Sequence, residues 1–147
     1  MRGWVFRIGI IAVIAVGALI FRDRLSSNAG ELKVGDCFDD PQGVTIVTDV
    51  QHHPCNEAHT AEVVYLGTLP GDNATYPTDA VIDVYVEASC LPAWTAYTGK
   101  DFQTETILGL GYYSPSSEGW SDGDRGIVCY AARNDGGPML ASVRKAP

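Results

Sequence analysis

The chain has 147 residues, of which 46% are hydrophobic, and a formal net charge of −8 at pH 7. The excess is uneven: nearly all the acidic residues lie from Gly30 onward, against only six of the ten basic ones. Such a domain excludes a nucleic-acid partner, because phosphate backbones select basic surfaces. It also argues against docking onto an anionic lipid surface through the domain itself. Solubility is the ordinary use of such charge, and a cationic partner or divalent ion is the sharper one.

The first element is an apolar run over residues 3–21, uncharged from Ile8 to Phe21 and close to the roughly 20 residues that cross a hydrocarbon core. Arg7 lies one turn in and can snorkel to the near interface, where Trp4 suits the aromatic belt. Positive charge does not orient the segment: Arg2 and Arg7 lie on one side, Arg22 and Arg24 on the other. The four cysteines do, since Cys37, Cys55, Cys90 and Cys129 all follow the run and disulfides persist on the oxidising side. The expected layout is a cytoplasmic stub and single-pass signal anchor over 1–24, a linker over 25–31, and an extracytoplasmic domain over 32–147 at the cell membrane. The competing reading is a signal peptide cut ahead of Gly30 after the small residues Ser27 and Ala29. The charged triplet Arg22-Asp23-Arg24 stands where a neutral cleavage region belongs, and favours retention.

Residues 44–50 and 61–66 are β-branched runs bounded by Pro and Gly, and predict strands. Thr78 or Asp79 opens a helix with an apolar stripe of Val81, Val84, Tyr85, Ala88 and Leu91. Pro92 kinks it or starts a second segment, and Gly99 ends it. Residues 107–113 and 126–132 predict later strands, and 139–143 a short last one. Residues 114–119 read as a loop, and Asn134-Asp135-Gly136-Gly137 as a turn. The fold class is therefore α+β, a small mostly antiparallel sheet with one main helix packed on a face, stapled by two disulfides and preceded by a single transmembrane helix.

Four cysteines allow three pairings. The expected one is Cys37–Cys55, closing a loop around the first strand, with Cys90–Cys129 tying helix to strand. No C-x2-C pair supports a structural zinc or a thioredoxin-like centre.

All three histidines fall within residues 52–59. His53, His59 and Glu62 offer two nitrogens and an oxygen to a zinc-type ion, but Pro54 keeps them off one helical face and the spacing is not H-E-x-x-H. The scaffold reading, in which His59 bonds within a turn feeding the strand from Ala61, is preferred. Asp36, Asp39 and Asp40 cluster near Cys37, and Asp122 and Asp124 flank Gly123, without EF-hand spacing. No nucleophile elbow, P-loop or dinucleotide fingerprint occurs. Trp94 and Trp120 are expected in the core around the second disulfide. The alternative for the set Trp94, Tyr97, Tyr112, Tyr113 and Trp120 is a partly exposed aromatic groove for sugar or peptide.

Several segments together carry a resemblance. They are Leu32-Lys33-Val34-Gly35-Asp36-Cys37-Phe38, Pro54-Cys55-Asn56-Glu57-Ala58-His59-Thr60-Ala61-Glu62-Val63, Cys90 with Tyr97-Thr98-Gly99, and Trp120 leading to Gly123-Asp124-Arg125-Gly126-Ile127-Val128-Cys129. In this order they resemble the septum formation domain family of actinobacterial-type envelope proteins, over residues 32 to about 143. Ala58 stands where the family usually has proline. The resemblance implies an extracytoplasmic domain behind one membrane segment, with a part in division or envelope biology, and supplies no catalytic mechanism and no cofactor. On the matching positions Asp36, His59, Glu62, Asp124 and Arg125 are the residues to test. The expected arrangement pairs Arg125 with one of these carboxylates beside Cys129, and the alternative is a ligand site. The functional expectation is a non-enzymatic interaction or sensor domain with envelope or division proteins as partners. The alternative is a metal-dependent or carboxylate-based hydrolase of envelope polymers.

Overall fold

A computed structural model describes residues 26–42, 44 and 46–147. The expected membrane segment, its charged flank and the cytoplasmic stub lie outside the described residues. Among the described residues no helix is long and apolar enough to cross a membrane.

The chain forms β1 (Ser26–Asn28), a 3-10 turn (Ala29–Glu31), β2 (Cys37–Asp39), β3 (Asp49–His53) and β4 (Ala61–Thr68). A helical stretch follows, then β5 (Leu108–Tyr113), a short helix and β6 (Gly126–Arg133). The six strands make one antiparallel sheet in the order β1-β3-β2-β4-β6-β5.

The helical stretch is α1 (Asp79–Tyr85), a π turn (Val86–Cys90) and α2 (Leu91–Thr98). Pro92 explains the middle piece. It has no N–H for the carbonyl four residues back, and its ring crowds that carbonyl, so the helix widens just ahead of it. Gly99 closes α2 at φ +71°, donating its N–H to the Thr95 carbonyl at 2.9 Å. The face turned to the sheet differs from the expected stripe. Ile82, Cys90, Trp94 and Thr98 are buried, while Val81 and Val84 stand exposed. The Cys90–Cys129 disulfide and the Trp94 indole, which donates to the Gly109 carbonyl at 3.1 Å, fix the rotation of the helix, and the π turn shifts its phase.

Alternation along β6 divides the core in two. Ile127, Cys129 and Ala131 face the helix and join Val64, Ile82, Trp94, Leu108 and Trp120, so both tryptophans sit in the same core as the second disulfide. Tyr130, flanked by Val128 and Ala132, faces the other way and packs with Leu32, Phe38, Val50, Ala61 and Val63. Gly111 lies opposite Tyr130 across β5–β6, and a Cβ there would sit 2.4 Å from the tyrosine ring, so the glycine leaves the slot this ring fills. In β4 the register shifts between Val63 and Tyr65, a bulge that lets Val64 and Tyr65 both pack on the helix side.

Three other expectations change. The strand expected over 44–50 begins only at Asp49, because β1 and β2 reach no further along it and Val44 and Ile46 are left exposed. The loop expected over 114–119 contains α3 (Ser117–Ser121), capped by the Ser116 hydroxyl, which accepts from the Gly119 N–H at 3.0 Å. The strand expected over 139–143 is a single bridge, His59 to Met139, after which the chain bonds to a side chain rather than to a strand.

Candidate functional site

The cysteines pair as Cys37–Cys55 and Cys90–Cys129. Beside the first pair lies Glu62, facing Cys37 across β2–β4 and fully buried. Its carboxylate accepts hydrogen bonds from the Tyr97 hydroxyl at 2.5 Å, the Ser142 hydroxyl at 2.7 Å and the Val143 N–H at 2.7 Å. Three donors make a buried carboxylate tolerable without a cation. They also bring together β4, α2 and the C-terminal tail. The tail is held further by Lys145, whose N–H donates to the Tyr97 carbonyl at 2.9 Å, and by Arg144, whose guanidinium lies 4.9 Å from the centre of the Tyr97 ring. Burial, then the bond to Glu62 and its charge, push the Tyr97 hydroxyl up to about 12.

The three residues considered for a metal do not converge. His53 bonds Asp39 at 2.8 Å through Nε2. His59, fully buried, donates from Nδ1 to the Glu57 carbonyl at 2.8 Å and exchanges backbone bonds with Met139. Its Nε2 has no hydrogen-bond partner among the described residues. Glu62 is taken up as above. Among the described residues the one close group of potential ligands is Cys37, Cys55 and Glu62, and both sulfurs are committed to the disulfide. The Gly35 carbonyl oxygen lies 3.5 Å from the Cys55 sulfur.

Asp36 closes a turn by accepting the Lys33 N–H at 2.8 Å. Asp124 bonds the Gly126 N–H at 2.9 Å across the turn that enters β6. The expected pair between Arg125 and a carboxylate is not formed. Its guanidinium lies 3.7 Å from the centre of the Trp120 ring and donates to the carbonyls of Trp120 and Asp124, both at 2.7 Å, and to the Asn73 side chain. The Trp120 indole N–H in turn donates to the Asp72 carbonyl at 2.6 Å. Register explains the separation from Glu62: Glu62 lies opposite Ala131, six residues along β6 from Arg125, or roughly 20 Å at strand spacing.

The five residues singled out on the motifs therefore serve turns, corners and the tail. Asp36 also lines a recess, with Glu31, Lys33 and His52. Asp124 faces further open concave surface, where two recesses of about 370 and 540 Å³ share Val47, Tyr113, Ser114, Pro115 and Asp124. Leu32, Leu66 and Val128 line one, and Ile46, Tyr76 and Tyr112 the other. Beneath this groove Asp40 accepts from the Tyr113 hydroxyl at 2.5 Å and the Tyr130 hydroxyl at 3.2 Å. Phe38 and the two tyrosines pack as a cluster, the tyrosine rings 4.9 Å apart. Burial first, then Asp40, raise both tyrosine hydroxyls well above their ordinary value, so they remain protonated donors at neutral pH. Sequence reasoning named Tyr112, Tyr113 and Asp40 without joining them. The available signal was the alternation of β5, which places Tyr113 on the Tyr130 face and Tyr112 on the helix face.

Fold and site together define a class: a small disulfide-stapled α+β domain whose buried motif residues lock the framework and whose open groove is walled by loops and by the ends of β4, β5 and β6. Residues 34–146 match the septum formation family, and the chain belongs to it. No curated protein and no solved structure matches the chain.

Proposed function

We propose that this chain is a binding domain of septum formation, held at the outer face of the cell membrane by its N-terminal apolar run, with the groove around Tyr113 as its contact surface for envelope or division proteins. The observation that carries this reading is the open groove itself, at the end of the sheet and away from the buried Glu62 corner. Glu62 and Arg125 are occupied by internal bonds, whereas the groove is open, walled by Val47, Leu66, Tyr76 and Pro115, and keeps the exposed Asp124 on its lining. A preformed concave site with apolar walls and a few polar groups is a usual binding geometry. The two disulfides support an oxidising compartment.

The test follows the full chain in dividing cells. A fluorescent fusion is expected at division sites, and periplasm-restricted protease is expected to reach the domain. Ser114→Trp, which fills the groove, is expected to disperse the fusion while thermal unfolding of the purified protein stays unchanged. Uniform distribution of the unmutated fusion, or protection of the domain from protease, would overturn the reading.

A further inference from the structure

Among the described residues the one formally charged side chain that lines the groove is an acid. Asp124 lines both recesses, and among the described residues no lysine, arginine or histidine lines either. The nearest basic side chain in sequence, Arg125, lines neither recess and is turned onto the Trp120 ring and the Asn73 side chain. More carboxylates lie next to the groove tyrosines: Asp40 bonds the Tyr113 hydroxyl, and Asp83 accepts from the Tyr112 hydroxyl at 3.3 Å. Burial raises the Tyr112 hydroxyl, and the charges of Asp83 and Asp79 raise it further, so the negative field reaches the aromatic wall. Aromatic faces beside carboxylates suit a cation on an apolar stem, by charge and by attraction to the ring face.

We infer that the groove binds an extended basic segment of a partner protein, with lysine or arginine side chains laid over the tyrosines toward Asp124. This rests on the reading of the groove as the contact surface and specifies its ligand. An extended strand matches an open channel that runs from Leu66 past Tyr113 to Tyr76. Its apolar side chains meet Val47 and Pro115, and its charges meet the acidic wall.

The experiment uses the full chain in detergent micelles and a fluorescent ten-residue peptide alternating valine and lysine. The same peptide with serine or glutamate in place of lysine is the comparison. The lysine peptide is expected to bind at least about tenfold more tightly than either, with affinity falling as salt rises. Ile46 stands on the rim and is 62% exposed, so its substitution leaves the core alone. Ile46→Lys is expected to weaken the lysine peptide about fivefold and Ile46→Glu to tighten it by a similar factor, the scale of one partly exposed charge contact. Asp124→Asn keeps an oxygen for the Gly126 N–H and is expected to weaken binding about fivefold. Glu87→Gln, exposed on the helical stretch, is expected to change nothing, which separates the groove from overall acidity. Equal binding of the serine peptide, insensitivity to both Ile46 variants, or an equal effect of Glu87→Gln overturns the inference. So does a groove that takes a tetramer of β-1,4-linked N-acetylglucosamine and ignores the lysine peptide. Septal localisation that survives such a result leaves the contact-surface reading standing. Dispersed localisation of a chain that still selects the lysine peptide defeats that reading instead.

Discussion

The Glu62 corner and the Tyr113 groove each place a carboxylate against tyrosine, and they differ in what surrounds it. At Glu62 both oxygens are used, the side chain is buried, and the donors come from the helix and the tail. At Tyr113 the Asp40 bonds form the floor of an open channel whose rim is exposed loop. The first arrangement spends its hydrogen bonds on closing the chain, and the second on stiffening a surface left free for something else. Polar residues of one family's motifs can thus serve different ends, Glu62 closing the chain and Asp124 standing on open surface.

This contrast breaks in a defined order. Removing Cys90–Cys129 is expected to cost about 4 kcal/mol and removing Cys37–Cys55 about 3 kcal/mol, scaling with loops of 39 and 18 residues. Urea unfolding of the paired Cys→Ala variants checks both. Glu62→Gln deprives one of three donors of its acceptor and is expected to cost about 2 kcal/mol. Hydrogen exchange at Val143 is expected to accelerate in that variant, and an unchanged rate contradicts the clamp.

The corner also responds to alkali. Tyr97 lies above its ordinary value of 10.0 when folded, at about 12, so the neutral form is favoured in the native state. Its stabilising contribution is whole below pH 10 and is lost as pH rises through 12. The urea midpoint is expected to fall across that window, and less steeply in Tyr97→Phe.

Smaller still is the coupling of the two corners. Arg125→Met is expected to cost about 1 kcal/mol through its lost bonds, and to add to Glu62→Gln within about 0.5 kcal/mol, as independent sites do. A coupling of more than 1 kcal/mol would restore the ion pair that register rules out. At the groove rim, Ile46→Lys is expected to leave stability within about 0.5 kcal/mol.

Much of the frame was legible because it rests on local chemistry. Pro92 and Gly99 marked the second half of the helix, valines and isoleucine marked β4 and β6, an apolar and aromatic run marked β5, and the cysteine positions matched helix to strand. What escaped depends on partners remote in sequence. β2 is three residues long and exists through its pairing to β3 and β4. The 44–50 run has strand composition, yet its neighbours stop at Asp49. Glu62 and His59 were rightly singled out as polar residues in an apolar setting, but the tail that occupies them lies some eighty residues on. The groove joins the ends of β4, β5 and β6 to loops around Val47, Tyr76, Ser114 and Asp124, and those loops carry no periodic pattern of their own.

The Glu62 clamp has a consequence for how the domain comes into being. The carboxylate emerges from synthesis 80 residues ahead of Ser142 and 81 ahead of Val143. Until those residues arrive, β4 carries an acid into the interior with two of its three donors missing. The central strand is thus held back from final burial while the chain is still threading. A chain truncated before Ser142 is expected to leave the Glu62 carboxylate buried with one donor in place of three, and so to fold less stably.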